Sequence, residues 1–183
     1  MAISGDASPC KQYTAVGDRI MAKNRLEGKK VLIVDDEPDV LEALQELLPM
    51  CRLETAASFE EAKAKLENHE FDLAILDIMG VNGYELLELA GKKKVISIML
   101  TAHALSPEHT VISYEKGAAS FVPKEEMAKI ETYLNDILEA QTKGKNFWWR
   151  WLERFNPYYE KRFGSDWSDH DRKFWDKFRY WIQ

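Results

Sequence analysis

Carboxylates, a hydroxyl and an amine stand at the ends of successive apolar runs in this sequence. Asp35, Asp36 and Glu37 follow Val31-Leu32-Ile33-Val34, and Asp77 follows Leu73-Ala74-Ile75-Leu76. Thr101 follows Ile98-Met99-Leu100, and Lys124 follows Phe121-Val122-Pro123. Three carboxylates gathered in one pocket repel one another, so either one is protonated or a cation compensates. A hard divalent ion with oxygen ligands is the natural compensator, and Mg²⁺ takes few protein ligands and keeps its waters. Such an ion bridges phosphoryl oxygens. A carboxylate can attack phosphorus and hold it as an aspartyl phosphate. Thr101 would supply a hydroxyl donor, and Lys124 a positive charge to a phosphoryl oxygen or to the carboxylate that receives it. Singly, each residue has an ordinary reading as a helix cap, turn residue or solvated charge. An acidic pair, an acid, a hydroxyl and an amine in this order is a poor match to chance.

The elements that must position these groups alternate. The run 31–34 is apolar throughout, as in a strand buried on both faces. Pro38 opens a helix with Val40, Leu41, Leu44, Leu47 and Leu48 at helical spacing. A half-polar strand is expected over 52–56. Ser58 and Glu61 form a capping box for a helix to about His69. Further strands are expected over 71–76, 95–100 and 120–122. Helices are expected over 82–90 and between Ser106-Pro107 and Gly117. A last helix carries Met127, Ile130, Leu134, Ile137 and Leu138 on one face. Five β–α units imply an α/β fold, a doubly wound five-stranded parallel sheet covered on both sides. Ligands in such sheets bind beyond the carboxyl ends of the strands, where the strand order reverses. Asp35, Asp36, Asp77, Thr101 and Lys124 all occupy such ends.

Composition bounds the rest. The net charge of -6 argues against general nucleic-acid binding, but from Lys145 onward nine Lys/Arg face six Asp/Glu, leaving that segment at +3. Cys10 and Cys51 have no metal-ligand or redox spacing and read as free thiols in a reducing compartment. No apolar run approaches the roughly 20 residues of a spanning helix. The first residues lack the apolar core of a signal peptide. A cytoplasmic protein is therefore expected. Residues 1–28 are small and polar and read as a flexible extension, with Met21 a second candidate start.

The matching stretches 31–37, 73–79, 98–102 and 117–124 resemble the receiver domain of two-component response regulators. The resemblance covers about residues 29–142. It implies a flavodoxin-like sheet of order 2-1-3-4-5 and a phosphorylation-controlled switch rather than an enzyme. The order is taken from that fold type, and it is what makes Asp35, Asp36 and Asp77 converge. By resemblance, Asp77 is the phosphoacceptor. Asp36 and Asp77 are direct Mg²⁺ ligands, joined by the backbone carbonyl of Met79, while Asp35 reaches the ion through water. Thr101 is the switch hydroxyl, Lys124 the phosphoryl-binding lysine, and Phe121 the aromatic that follows Thr101, although a core Phe is an almost equal reading. The donor implied is a phosphohistidine on a sensor histidine kinase or a phosphotransfer protein.

Two features depart from the family pattern. The loop after Asp77 reads Met79-Gly80-Val81-Asn82-Gly83, shorter and without proline. Lys124 is preceded by Pro123 and followed by Glu125, where the family has a proline in a cis bond after the lysine. A cis Lys–Glu bond would cost about 3 kcal/mol, so trans is expected.

Residues 143–183 form a separate, helical C-terminal extension in this reading. The last 37 residues hold all 6 tryptophans and 14 of 21 aromatics. Trp148, Trp151, Leu152 and Phe155 share one helical face. Asn156-Pro157 should break or kink the helix, Gly164 should end a second short one, and Ser168 with Asp171 looks like a further capping box. Phe174, Trp175, Phe178 and Trp181 form a second stripe. About 40 residues are too few for an independent core, so these aromatics must bury against something. That something is the receiver itself or a second copy, then a partner protein, for which Trp and Arg suit hot spots. A membrane surface and single-stranded nucleic acid rank lower. No DNA-binding domain is recognisable. A homodimer would use the face of the fourth helix, fifth strand and fifth helix, or the tail. Three functions compete: a phosphorylation switch signalling through protein contacts and the tail, a degenerate receiver acting as a phosphorylation-independent scaffold, and, remotely, a metal-dependent phosphatase.

Overall fold

The computed structural model describes residues 24–101, 107–144 and 147–181. Five parallel strands run in the order β2-β1-β3-β4-β5. They are β1 (Lys30–Val34), β2 (Arg52–Ala56), β3 (Leu73–Asp77), β4 (Ile96–Thr101) and β5 (Ser120–Pro123). The central strands are apolar on both faces because helices cover both. Every residue of β3 is buried, and Val31, Leu32, Ile33 and Val34 of β1 are buried with them. β2 lies at an edge and keeps the half-polar character of its sequence.

The helices are α1 (Pro38–Leu47), α2 (Phe59–Asn68), α3 (Gly83–Lys92), α4 (Pro107–Glu115), α5 (Ile130–Thr142), α6 (Trp148–Phe163) and α7 (Arg172–Trp181). Their ends follow local chemistry. Pro38 sits in the first turn of α1. Ser58 Oγ accepts from Glu61 N, while the Glu61 carboxylate reaches back to Ala57 N rather than to the cap residue itself. After α4, Gly117 takes φ +86° and donates to Tyr114 O, and Ala118 N donates to Ser113 O; this is the paired-bond motif in which glycine closes a helix. The expected cap at Ser106 lies outside the described residues.

Residues 24–28, read from the sequence as part of the extension, are tied to α5. Asn24 Nδ2 donates to Glu131, Arg25 N donates to Asn135 Oδ1, and Leu26 is fully buried. Cys10 and most of the extension lie outside the described residues. Met127 leaves the expected long helix: Lys124–Lys129 is a 3-10 turn leading into α5.

The C-terminal segment departs from its expected break. α6 runs through Asn156-Pro157 as one 16-residue helix, ended by Gly164 at φ +92°. Pro157 has no N–H for the carbonyl one turn back, a defect of about 3 kcal/mol in an isolated helix. Burial on both sides of it, Trp151 and Phe155 before and Tyr159 after, favours one straight-through helix instead. Ser168 precedes a 3-10 turn, Asp169–Asp171, and its side chain makes no capping bond to it.

This segment packs on the surface of the chain's own sheet domain, over α4, β5 and α5. Tyr114 of α4 meets Trp148, Phe174 and Phe178 edge-on. Tyr133 of α5 meets Phe155. Within the tail, Trp167 and Trp175 lie 4.7 Å apart and Tyr159 and Trp167 4.7 Å apart. β5 is an edge strand whose outer backbone groups lack a neighbouring strand. Trp151 Nε1 serves there, donating to Phe121 O at 2.7 Å, and Trp148 Nε1 donates to Ala118 O, just before the strand, at 2.9 Å.

Candidate functional site

The pocket forms at the carboxyl ends of β1, β3, β4 and β5. Because β1 and β3 are paired neighbours, Asp35 and Asp36 after β1 meet Asp77 at the end of β3. One carboxylate oxygen from each lies within 4.8 Å of the others. Asp35 and Asp77 are buried, while Asp36 is exposed. The register brings Asp77 opposite Leu100 and Thr101 opposite Pro123, so Thr101 and the Lys124 turn end one step beyond Asp77. Thr101 is buried.

Lys124 enters this pocket without a cis bond; none occurs among the described residues. Its Nζ lies 2.7 Å from Asp35 Oδ2, 2.7 Å from Glu37 Oε1 and 3.6 Å from Asp77 Oδ1, with only 11% of the side chain exposed. Asp35 Oδ1 accepts from Glu37 N at 3.0 Å, whereas buried Asp35 Oδ2 is left with the charge of Lys124 and no hydrogen bond of good angle. Glu37 was part of the sequence motif but not among its site residues; only the fold shows that it shares the lysine.

Burial pushes the Asp35 carboxyl up, and the nearby Lys124 only partly offsets this. Burial likewise raises Asp77, opposed by the charge of Lys124 and reinforced by those of Asp35 and Asp36. For Lys124, burial favours the neutral amine, but the close carboxylates of Asp35 and Glu37 and the charge of Asp77 outweigh it and raise the pKa. Glu37 is lowered by its bond to Lys124. Four carboxylates and one ammonium leave the pocket at a formal -3. Protonation or a divalent cation relieves such crowding, and an all-oxygen donor set with a buried, under-bonded carboxylate oxygen fits a hard ion such as Mg²⁺.

The unusual loop after Asp77 is explained by crowding. A Cβ at Gly80, where φ is +26°, would lie 2.2 Å from Asp36 Oδ1, and one at Gly83 would lie 1.8 Å from the Asp77 carbonyl oxygen. The glycines let the loop close over the acidic cluster, a signal present in the sequence but legible only with the fold. Met79 is half exposed, and its carbonyl accepts from Val81 N.

A family model for the response regulator receiver domain matches residues 31–135. The chain belongs to the response regulator receiver family. Similar proteins include the sensory transduction protein LytR of Staphylococcus epidermidis, 35% identical over 64% of this chain and 49% of that protein. The two-component response regulator ARR10 of Arabidopsis thaliana is 33% identical over 53% of this chain and 19% of that protein. A CheY-like receiver domain from Methanospirillum hungatei JF-1 is 34% identical with a TM-score of 0.53, covering 61% of this chain and 98% of that structure. The chain spans 13% to 54% of the length of the curated relatives it matches.

In this receiver, Phe121 is fully buried in β5, paired with Met99 and bonded through its carbonyl to Trp151. The tail residues considered for partner contact, Trp148, Trp151, Phe155, Trp175 and Phe178, are all buried against the receiver or each other. The Trp181 side chain lies outside the described residues. Tyr159, absent from the sequence list, is fully buried and its hydroxyl shares a 2.5 Å hydrogen bond with Thr110 of α4. The face considered for a homodimer is therefore covered by the chain's own α6 and α7. Among the described residues, the indoles of Trp148, Trp151, Trp167 and Trp175 are buried and so turned away from any outside surface. No described helix is long and apolar enough to cross a membrane.

Proposed function

We propose that this receiver is a phosphorylation-dependent switch that accepts a phosphoryl group on Asp77 and signals through protein contacts involving the C-terminal tail. The observation that carries the reading is the convergence of Asp77 with Asp35, Asp36 and Lys124 at the strand ends. In the transfer, a carboxylate oxygen of Asp77 forms the new P–O bond as the P–N bond of a donor phosphohistidine breaks. The electron pair leaves on the imidazole nitrogen. Lys124 offsets charge on the phosphoryl oxygens and Thr101 donates its hydroxyl to one of them. Asp36, Asp77 and the Met79 carbonyl would hold Mg²⁺ directly, and Asp35 through water. When bound, the ion neutralises the acidic cluster and draws charge from the phosphoryl group.

The proposed donor is a sensor histidine kinase or phosphotransfer protein in the cytoplasm. The proposed division of the chain is an extension over 1–28, the receiver over 29–142 and the tail over 143–183. The contacts that support a role for the tail are those it makes with α4, β5 and α5, where a change at Thr101 would be felt first. Intact mass after incubation with acetyl phosphate and Mg²⁺ tests the reading. One phosphoryl adduct is expected on the wild type and none on Asp77→Asn. No adduct on folded wild type would sink the switch and leave the phosphorylation-independent scaffold.

A further inference from the structure

The turn that carries Lys124 is contacted by α6 at Glu125. Tyr158 Oη donates to Glu125 Oε2 at 3.1 Å, and Arg162 lies 3.7 Å from Glu125 Oε1. Glu126 accepts from Tyr133 Oη at 3.0 Å. The Tyr133 ring is in turn covered by Phe155, with ring centroids 5.4 Å apart, and by the Arg154 guanidinium at 5.7 Å. Both residues that follow Lys124 are thus held by the same helix, one directly and one through a single ring. Within the turn itself Glu126 also accepts from Lys129 at 2.7 Å and Met127 packs on the core, whereas among the described residues no other contact holds the Glu125 carboxylate. The lysine stem is flexible, with several rotatable bonds between backbone and ammonium.

We infer that α6 is a positioning element for the phosphoryl site: Tyr158 and Arg162 hold Glu125, and through it they hold Lys124 against Asp77. The inference rests on the reading of Asp77 as phosphoacceptor. Neither residue touches the reacting group, so both act through the turn. Small displacements of a charge-stabilising group cost rate steeply. The tail is then part of what makes the site competent, in addition to any part it takes in output. Where the receiver pattern has a proline after the lysine, this chain has a glutamate, and a helix some 30 residues later supplies its constraint.

The test uses the full chain. Tyr158→Phe/Arg162→Gln is compared with wild type and with Arg162→Lys, with near-UV circular dichroism reporting whether the aromatic tail stays docked. The first readout needs neither metal nor phosphoryl group: reductive methylation of Lys124, resolved by peptide mass, with Lys65 as internal control. The double variant should label Lys124 three- to tenfold faster while Lys65 is unchanged, and Arg162→Lys should stay close to wild type. The second readout is the acetyl phosphate reaction with Mg²⁺. Its saturating rate should fall three- to tenfold with the half-saturating concentration nearly unchanged. Equal Lys124 labelling in the docked double variant and wild type would overturn the inference. If that variant undocks, Glu125→Ala decides, because it leaves every packing residue of α6 in place; wild-type labelling there would overturn the inference equally. Absence of any adduct on wild type would sink the Asp77 reading instead, and the labelling would still decide whether α6 holds the lysine.

Discussion

Trp151→Ala is the sharpest probe of how firmly the tail is joined to the receiver. Trp151 is 1% exposed and its ring neighbours are Trp148, Phe155, Tyr159 and Trp175. Removing a buried Trp side chain costs about 3–5 kcal/mol. Stranding the Phe121 carbonyl, which accepts the indole N–H at 2.7 Å, adds about 1 kcal/mol. The sum of about 4–6 kcal/mol is a large share of the roughly 5–15 kcal/mol that stabilises a typical domain. With a urea slope of about 2 kcal/mol/M, the midpoint should fall by about 2 M or more. Trp151→Phe keeps most of the ring and should lose only about 1–2 kcal/mol. Urea titration followed by far- and near-UV circular dichroism measures both, and coincident transitions check that tail and sheet unfold together. A midpoint within about 0.5 M of wild type for Trp151→Ala would refute the described packing. The size of the term also bears on signalling. Site-to-site coupling is typically about 1–3 kcal/mol, so phosphorylation is expected to shift the tail rather than to free it.

Three further outcomes are expected. Gly80→Ala should push the Asp36 carboxylate aside and weaken Mg²⁺ binding about tenfold, read by calorimetry; unchanged affinity would detach Asp36 from the ion. Deleting residues 145–183 uncovers Tyr114, Tyr133 and the outer carbonyls of β5, so light scattering should show self-association where the full chain shows less; a well-behaved monomer would mean that the covered face is not sticky. Cys51 is pushed up to about 11, chiefly by burial, so its thiolate fraction at pH 8 is small. In a Cys10→Ser background its alkylation should run roughly a hundredfold slower than that of a free thiol and accelerate as pH rises towards 11. A rate typical of an exposed cysteine would contradict the placement of the Cys51 thiol, which donates to Leu26 O at 3.5 Å.

What the sequence settled and what it left open divide along the range of the interactions involved. The strands and most receiver helices were legible because periodicity, Pro38, Ser58 and Gly117 act within a few residues. The residues of the acidic site were legible because strand ends mark where ligands bind. Their convergence needed the strand order, which the residues alone do not give. Three further points needed the tertiary structure. Lys124 reaches Asp35, Glu37 and Asp77 from a trans turn, because contacts between residues far apart in the chain outweigh a local departure from the family pattern. α6 continues through Pro157, because burial of Tyr159 outweighs a local helix-breaking preference. The aromatic residues of the tail were visible as a composition that demanded a partner. Which surface would satisfy them depended on the edge of β5 and on Tyr114 and Tyr133 standing beside it. That arrangement exists only once the sheet has formed.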